Sequence, residues 1–167
     1  TENLGAVQAG PLLEDLVGQL VDMAGPSRRT AIQTQFDTLQ LYPDQAVPVS
    51  LLATEAVTNA LKHAGNRTGE QGWLTVRLIN EGQAMACLLV ENSKGPVPVL
   101  NGDGLSSSGL GTNLIRAFAS QLSAQAVVEE TEDRYRLTCR FKVQGFQEDA
   151  APPHPRDPDA EADDEEN

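Results

Sequence analysis

The sequence is organised around the segment TEAVTNALKHAG, residues 54–65. A helical wheel divides the side chains of this region into an apolar half and a polar half. The apolar half consists of Ala53, Val57, Ala60, Leu61 and Ala64, and the polar half of Glu55, Thr58, Asn59, Lys62 and His63. We therefore expect an amphipathic helix that buries one face and presents a carboxylate, an amide, an ammonium and an imidazole on the other.

The polar half of this helix suits a magnesium ion and the phosphates bound to it. Mg²⁺ prefers hard oxygen ligands, and Glu55 and Asn59 supply them one helical turn apart. Lys62 can contact phosphate oxygens, and His63 can do so when protonated or can donate one hydrogen bond when neutral. An ordinary amphipathic helix with a solvated polar face would show the same pattern, so this segment alone does not decide between the two interpretations.

A second informative segment is SSSGLGTNLIRAFASQL, residues 106–122. We expect the glycine-rich stretch from Gly95 to Gly111 to form a loop, followed by an apolar-periodic helix that ends at Leu122. The start of such a helix offers unpaired N–H groups to an anion, and Gly109 and Gly111 let the backbone approach a phosphate closely. No Lys-Ser or Lys-Thr pair follows, which excludes a P-loop, and the strand and spacing of a Rossmann fingerprint are missing.

Taken together, TEAVTNALKHA and GLGTNLI resemble the N box and the second glycine box of the GHKL (Bergerat-fold) ATPases. They are most similar to the ATP-binding catalytic domain of bacterial sensor histidine kinases, and PDQAVPVSLLATEAV and LIRAFASQL resemble segments of the HWE-like subgroup. The resemblance extends over roughly residues 12–141. It implies an α+β fold, a two-layer α/β sandwich of the Bergerat type, and it implies ATP and Mg²⁺ as cofactors.

The resemblance also implies roles for individual residues. Asn59 would be the Mg²⁺ ligand, and Glu55 would be the catalytic residue, which polarises or accepts a proton from the nucleophile attacking the γ-phosphate. The other expected nucleotide-binding residues are Lys62, His63, Asn92, Lys94, Gly109, Leu110, Gly111 and Thr112. The loop from Asn101 to Ser108 is expected to be a mobile lid over the nucleotide.

The sequence departs from the family pattern at the first glycine box, which is normally Asp-x-Gly-x-Gly. After Val90 the chain has Asn92-Ser93-Lys94-Gly95-Pro96 at this place. Asn92 keeps an amide oxygen that can accept a hydrogen bond from the adenine amino group, but it loses charge assistance of about 1 kcal/mol. Lys94 either reaches a phosphate or remains a solvated surface lysine. We therefore expect a weakened or altered adenine site.

Apolar periodicity and turn residues predict the remaining elements. We expect a first helix from Pro11 to about Ala24, a strand from Ala31 to Phe36, and a central helix after Tyr42 that holds Pro48 in its first turn. Two hairpins follow, with strands at 73–79 and 85–90 joined by residues 80–82, and strands at 126–128 and 135–141. Strand 85–90 is nearly continuous in apolar residues and is expected to be central. Three helices and about five strands predict helices on one face of a mixed five-stranded sheet.

The charge pattern divides the 167 residues into a body and a tail. Residues 148–167 carry nine acidic side chains against Arg156, whereas residues 1–147 carry 15 acidic and 11 basic ones. We expect residues 1–10 to be a lead-in, residues 11–147 to be one ATP-binding catalytic domain, and residues 148–167 to be an acidic, proline-rich disordered tail. The tail either solvates the chain or docks on a basic partner.

Composition also excludes some classes of partner. The sequence shows no basic patch that would neutralise a phosphate backbone, so we expect no nucleic-acid binding. No apolar run has the length of a membrane span and no signal peptide is present, so we expect no membrane contact by this domain and a cytoplasmic location. Cys87 and Cys139 fall in apolar strand-like runs and are expected to be buried free thiols.

The resemblance implies the catalytic domain of a two-component sensor histidine kinase. Such a domain transfers the γ-phosphoryl group of Mg-ATP to a histidine on a separate dimerisation domain, for relay to the receiver domain of a response regulator. No helical hairpin with an acceptor histidine precedes Leu12, and neither His63 nor His154 is a suitable acceptor, so the acceptor is expected on another domain. Two alternatives stay open: an anti-sigma-factor serine kinase with a similar N box, and a degenerate docking or phosphotransfer module, which the altered first glycine box favours.

Overall fold

The computed structural model describes residues 5–25, 30–64, 71–95 and 106–145, with side chains described from residue 112 onward in the last range. Its elements in chain order are β1 (Val7–Gln8), α1 (Ala9–Ala24), β2 (Thr30–Phe36), β3 (Gln40–Leu41), α2 (Pro43–His63), β4 (Gly72–Gly82), β5 (Met85–Ser93), α3 (Ser106–Gln121), β6 (Ala126–Glu130) and β7 (Arg134–Lys142). The predicted lid residues 101–105 and the predicted tail 148–167 lie outside the described residues.

Five strands form one sheet in the order β2-β4-β5-β7-β6. β2 and β4 are parallel and the other neighbours are antiparallel, so the sheet is mixed, as predicted. β5 occupies the centre, where Ala86, Cys87 and Leu88 are almost completely buried. The predicted α+β sandwich, with three helices and a mixed five-stranded sheet, is confirmed. The antiparallel pair β1–β3 was not expected, because strands of two residues show no periodicity in the sequence.

The helices pack on one face of the sheet. In β4, Leu74, Val76 and Leu78 face the helices and are fully buried, whereas the alternate residue Arg77 lies on the opposite side and is partly exposed. α2 is the central helix of the layer, since it packs against α1, α3, β4 and β5. The opposite side of the sheet, which includes Arg77, Leu89, Arg136 and Arg140, is called the open face below.

Pro11 and Pro48 lie further into α1 and α2 than predicted. α1 begins at Ala9, and Pro11 therefore lies third in the helix, still in the first turn, where N–H groups have no intrahelical partner. α2 begins at Pro43, so Pro48 lies in its second turn and the expectation of a first-turn position is wrong. The ring removes one hydrogen bond to the carbonyl of Asp44, and burial of Pro48 in the core offsets part of that cost.

The turn between β4 and β5 lies three residues later than predicted. β4 continues to Gly82, and the connection is Gln83–Ala84, with φ of 53° and 58°. Positive φ at both loop residues gives a turn whose twist matches that of the strands, as in a type I′ hairpin. Residues 80–82 instead contain a register irregularity between Asn80 and Gly82, where Asn80 Oδ1 accepts a hydrogen bond from the Gly82 amide.

α3 begins at Ser106, so the expectation of a loop as far as Gly111 is wrong for its last six residues. Each glycine disfavours a helix by about 1 kcal/mol, which is why the sequence indicated a loop. The packing of α3 against α2 opposes that local preference. Ile115, Ala119 and Leu122 are buried, in agreement with the predicted apolar stripe of this helix.

Candidate functional site

The exposed side of α2 carries the polar residues that the sequence singled out. Glu55 and Asn59 are partly exposed, and Lys62 and His63 are exposed, while Val57 on the opposite side is completely buried. The helix buries one face because Ala53, Val57, Ala60 and Leu61 recur at helical spacing. Within the described part of the chain, the side chains of Glu55 and Asn59 have no hydrogen-bond or ion-pair partner, so their oxygens are available to a ligand.

The end of α2 meets the end of β5. An isolated antiparallel bridge joins Ala64, the residue after α2, to Lys94, the residue after β5. Asn92 lies on the helix-facing side of β5, paired with Leu74 on one neighbour and Tyr135 on the other, and is 2% exposed. The structure therefore brings the end of the helix that carries Glu55 and Asn59 next to the strand end that carries Asn92 and Lys94.

The Asn92 side chain has a defined orientation. Its Nδ2 donates to the carbonyl oxygen of Ser93 at 2.9 Å. The neighbouring Ser93 Oγ accepts from the Trp73 amide at 2.8 Å, which ties this residue to β4. With Nδ2 directed at the backbone, the oxygen Oδ1 is the atom of Asn92 that is suited to accept a hydrogen bond from a ligand.

Lys94 makes side-chain contacts that the sequence did not predict. Its Nζ lies 2.7 Å from Glu130 Oε1 and 3.1 Å from the carbonyl oxygen of Thr131, and its amide donates to Asp133 at 3.0 Å. The lysine thus fastens the end of β5 to the turn between β6 and β7. This ion pair lies at the surface, and the Lys94 ammonium would have to leave Glu130 to reach a phosphate.

The second glycine box lies in α3, which packs against α2. Gly109, Leu110 and Gly111 are helical, and Thr112 is exposed. In a helix the first four N–H groups have no intrahelical partner, so an anion at this terminus would meet the amides of residues 106–109. An amide contact from Gly111 would require the first turn of α3 to open.

Tyr135 is a residue of this region that the sequence analysis treated only as part of a strand. It lies opposite Asn92 in the β5–β7 register and opposite Glu130 in the β6–β7 register. Burial raises the pKa of the Tyr135 hydroxyl, and the nearby Glu130 carboxylate raises this pKa further, so the phenol remains a hydrogen-bond donor at neutral pH. Only the strand register reveals this neighbour, because alternation alone does not say which residues pair.

Glu55 and Asn59 offer the hard oxygen donors that Mg²⁺ prefers. Among the described residues, no three His, Cys, Asp or Glu side chains converge on a common point. Glu55 and Asn59 offer one carboxylate and one amide oxygen, and Mg²⁺ is commonly held by one or two protein oxygens, with water and substrate phosphates as the other ligands. The residues present therefore suit a magnesium ion that arrives with a nucleotide.

Two further observations bear on the remaining sequence-based expectations. Cys87 and Cys139 are buried free thiols, as predicted. None of α1, α2 and α3, over their described residues, combines the length and apolarity that a membrane-spanning helix needs.

The structure is similar to catalytic domains of histidine kinases. The histidine kinase domain from the Erythrobacter litoralis EL346 blue-light activated histidine kinase aligns with a TM-score of 0.69 and 20% identity, over 82% of this chain and 62% of that one. The catalytic domain of histidine kinase ThkA aligns with a TM-score of 0.64 and 15% identity, over 83% and 94% of the two chains. The mycobacterial sensor histidine kinase MprB aligns with a TM-score of 0.61 and 12% identity, over 84% and 98%.

These likenesses confirm the fold that the N box and the glycine box implied. At 20% identity or less they show the fold alone. The chain spans less than two thirds of the Erythrobacter litoralis domain. No protein-family model matches the sequence, and no curated protein matches it either.

Proposed function

We propose that this chain is the ATP-binding catalytic domain of a two-component sensor histidine kinase. In this proposal it transfers the γ-phosphoryl group of Mg-ATP to a histidine on a separate dimerisation domain, from which a response regulator receives it. The observation that carries the proposal is the bridge between Ala64 and Lys94, which joins the polar end of α2 to the strand end that holds Asn92, within the fold of histidine kinase catalytic domains.

The proposed roles follow from position and chemistry. Asn59 would hold the metal through its amide oxygen, and a bound Mg²⁺ would neutralise charge on the phosphates. Glu55, one turn earlier on the same face of α2, would orient the attacking imidazole or accept its proton. The exposed cations Lys62 and, when protonated, His63 would attract the phosphates, since both lie within about one helical turn of Asn59.

The adenine would bind between α2 and the end of β5. Asn92 Oδ1 would accept from the adenine amino group, because the oxygen is the acceptor of this amide and Nδ2 donates to the Ser93 carbonyl. Helix α3 would present the amides of its first turn to the phosphates. A neutral amide at Asn92 gives a weaker acceptor than a carboxylate, so we expect modest affinity for ATP.

Nucleotide binding by calorimetry tests the proposal first. ATP and a non-hydrolysable analogue should bind in the presence of Mg²⁺, and Asn59→Ala should lose the magnesium-dependent part of the affinity. Gln19→Ala, which removes an exposed amide from α1, is the matched control and should bind like the unmodified chain. Folded protein that binds no ATP at millimolar concentration would refute the proposal.

Phosphoryl transfer tests the role of Glu55. Glu55→Gln should retain nucleotide binding and lower transfer to a helical histidine domain by about 10²–10⁴-fold, the usual contribution of a general base. Supplying a small serine-bearing partner in place of the histidine domain tests the alternative, an anti-sigma-factor serine kinase. Transfer to the serine partner alone would establish that alternative.

A second candidate is a degenerate docking module of the same fold. The ion pair between Lys94 and Glu130 favours it, because a lysine held by this pair stands beside the proposed adenine position where the family pattern has a glycine. Absence of binding in calorimetry, with the fold intact by circular dichroism, is the result that this candidate predicts.

A further inference from the structure

The open face carries a group of basic side chains that the proposed ATP site does not use. The strand register pairs Arg77 with Leu89, Cys87 with Arg140, and Met85 with Lys142. Because side chains alternate along a strand, these positions all lie on the same side of the sheet. Arg140 and Lys142 therefore lie near the end of the sheet where β7 finishes, and Arg77 lies on the same face two strands away, level with Leu89. We call these three basic residues, together with Glu81, the basic corner.

The buried Cys87 thiol belongs to the same face, paired with Ile79 on β4 and with Arg140 on β7. Burial is the main cause that raises the pKa of the Cys87 thiol. Arg140 and Arg77 act in the opposite direction and lower this pKa, and Glu81 raises it.

The basic corner has an excess of positive charge. Its carboxylate, Glu81, pairs with Arg140 at 3.0 Å. Arg77 and Lys142 form no ion pair with a described residue, and Arg77 Nε is buried without a hydrogen-bond partner among those residues. Three basic side chains against one acidic side chain leave a net charge of +2.

The rest of residues 1–147 has the opposite balance. Elsewhere on the open face, two arginines are matched by two glutamates through ion pairs that join Arg134, Arg136, Glu91 and Glu129. Residues 1–147 carry 11 basic and 15 acidic side chains, so outside the basic corner eight basic side chains stand against 14 acidic ones. The basic corner is therefore a positive region on an acidic protein.

The acidic segment 148–167 follows directly from this place. β7 ends at Lys142, and the 22 residues after Gly145 can extend over roughly 70 Å, far more than the width of the sheet. Gln45 of α2 binds the backbone of Lys142 and Gln144, so the chain leaves the body at this end of the sheet. The other nearby positive feature, the start of α2, already has Asp44 in its first turn.

We propose that the acidic segment 148–167 docks on the basic corner of its own chain. Nine carboxylates would then face a region of net charge +2 at the high effective concentration that a short tether provides. Individual exposed ion pairs are weak and are screened by salt, so the contact depends on several of them together. The segment would cover part of the open face and leave the helix-facing ATP site uncovered, so the docking does not depend on the proposed function.

Paramagnetic relaxation in the full chain tests the docking. A thiol-reactive nitroxide should react selectively with the cysteine introduced by Ala160→Cys. The other two thiols are protected, because Cys87 and Cys139 are 1% and 0% exposed and burial raises the pKa of both. At low ionic strength we expect loss of amide signal intensity at Glu81, Met85 and Arg140 relative to residues of α1. Sodium chloride at about 0.5 M should restore these intensities, since it shortens the screening length well below 10 Å.

Charge variants provide the matched comparison. Arg140→Gln combined with Lys142→Gln should restore the intensities at low salt, because it removes two of the three positive charges from exposed positions. Arg116→Gln, which removes an exposed basic side chain from α3, should leave the signal loss unchanged. Circular dichroism checks that each variant is folded.

Three outcomes would overturn the proposal. The first is the absence of selective signal loss at low salt. The second is signal loss that persists in 0.5 M salt or in the folded double variant, since the contact would then not involve these charges. The third is found in a mixture of two kinds of chain: one carries the nitroxide at natural isotope abundance, and the other is isotope-labelled and carries no nitroxide. An equal signal loss in this mixture would show that docking occurs between chains and not within one.

Discussion

Gln45 connects the beginning of α2 with the end of β7, and its replacement by alanine tests what this connection contributes to stability. Its Nε2 donates to the Lys142 carbonyl at 2.7 Å, and its Oε1 accepts from the Gln144 amide at 2.9 Å. The residue is 3% exposed, so water cannot simply replace these bonds. The partners lie 97 and 99 residues away in the chain, which makes the connection a long-range one.

The expected magnitude follows from these two bonds. A neutral hydrogen bond contributes about 0.5–1.5 kcal/mol, and a buried partner left unpaired costs about 1–3 kcal/mol. The better helix propensity of alanine returns only a few tenths of a kcal/mol. We therefore expect Gln45→Ala to lower the free energy of unfolding by about 2–4 kcal/mol, and the Tm by roughly 10 °C for a chain of this size.

Urea and thermal denaturation followed by circular dichroism measure this change. Gln19→Ala is the matched control, because it truncates an exposed helical glutamine and should change stability by less than about 0.5 kcal/mol. Gln45→Met keeps most of the volume but removes both bonds, so it should be nearly as destabilising as alanine. Equal stability of Gln45→Ala and Gln19→Ala, or a Gln144 amide that exchanges no faster in Gln45→Ala, would refute the reasoning.

Three other features of the fold are open to test. Replacing Gln83-Ala84 by Asn-Gly should stabilise the hairpin by about 1 kcal/mol, because both residues have positive φ; an unchanged urea midpoint would contradict the turn. Burial, with a smaller effect of Cys87, raises the pKa of Cys139 from 9.0 to about 11. As the pH rises, the unfolded chain therefore loses this thiol proton before the folded chain does, and the free energy of unfolding should fall between pH 9 and 11. Cys139→Ala should make stability less dependent on pH in this range. Lys94→Gln and Glu130→Gln should each cost about 0.2–1 kcal/mol, and a double-mutant cycle showing strict additivity would argue against their ion pair.

Local periodicity was sufficient to predict α2 and β5, whereas the glycine box that was expected in a loop lies in the first turns of α3. The two faces of α2 are as expected because a side chain's direction on a helix depends only on its position in the 3.6-residue repeat. The central position of β5 follows from its continuous apolar run, which no solvent-facing strand could carry. Predictions that depended on the end of an element were less accurate, as at Pro48 and at Gln83–Ala84, because packing decides how far a helix or strand continues.

Pairing between distant residues could not be predicted in this way. Lys94 pairs with Glu130, 36 residues away, and the sequence offered only the choice between a phosphate contact and a solvated side chain. Tyr135 lies beside Asn92 through the β5–β7 register, and a shift of one residue would have placed Arg134 or Arg136 there. The basic corner likewise combines Arg77 with Arg140 and Lys142, which share one face of the sheet only after β4, β5 and β7 have paired.

The sequence by itself therefore determined the fold class and the polar face of α2. Hydrophobic periodicity is a local property, and it specifies which side of each element is buried regardless of partner. Only the tertiary structure decided which groups meet: the Lys94–Glu130 ion pair, the Gln45 link and the basic corner. These depend on strand register and on the packing of α2 against the sheet, and both are set by contacts between residues far apart in the chain.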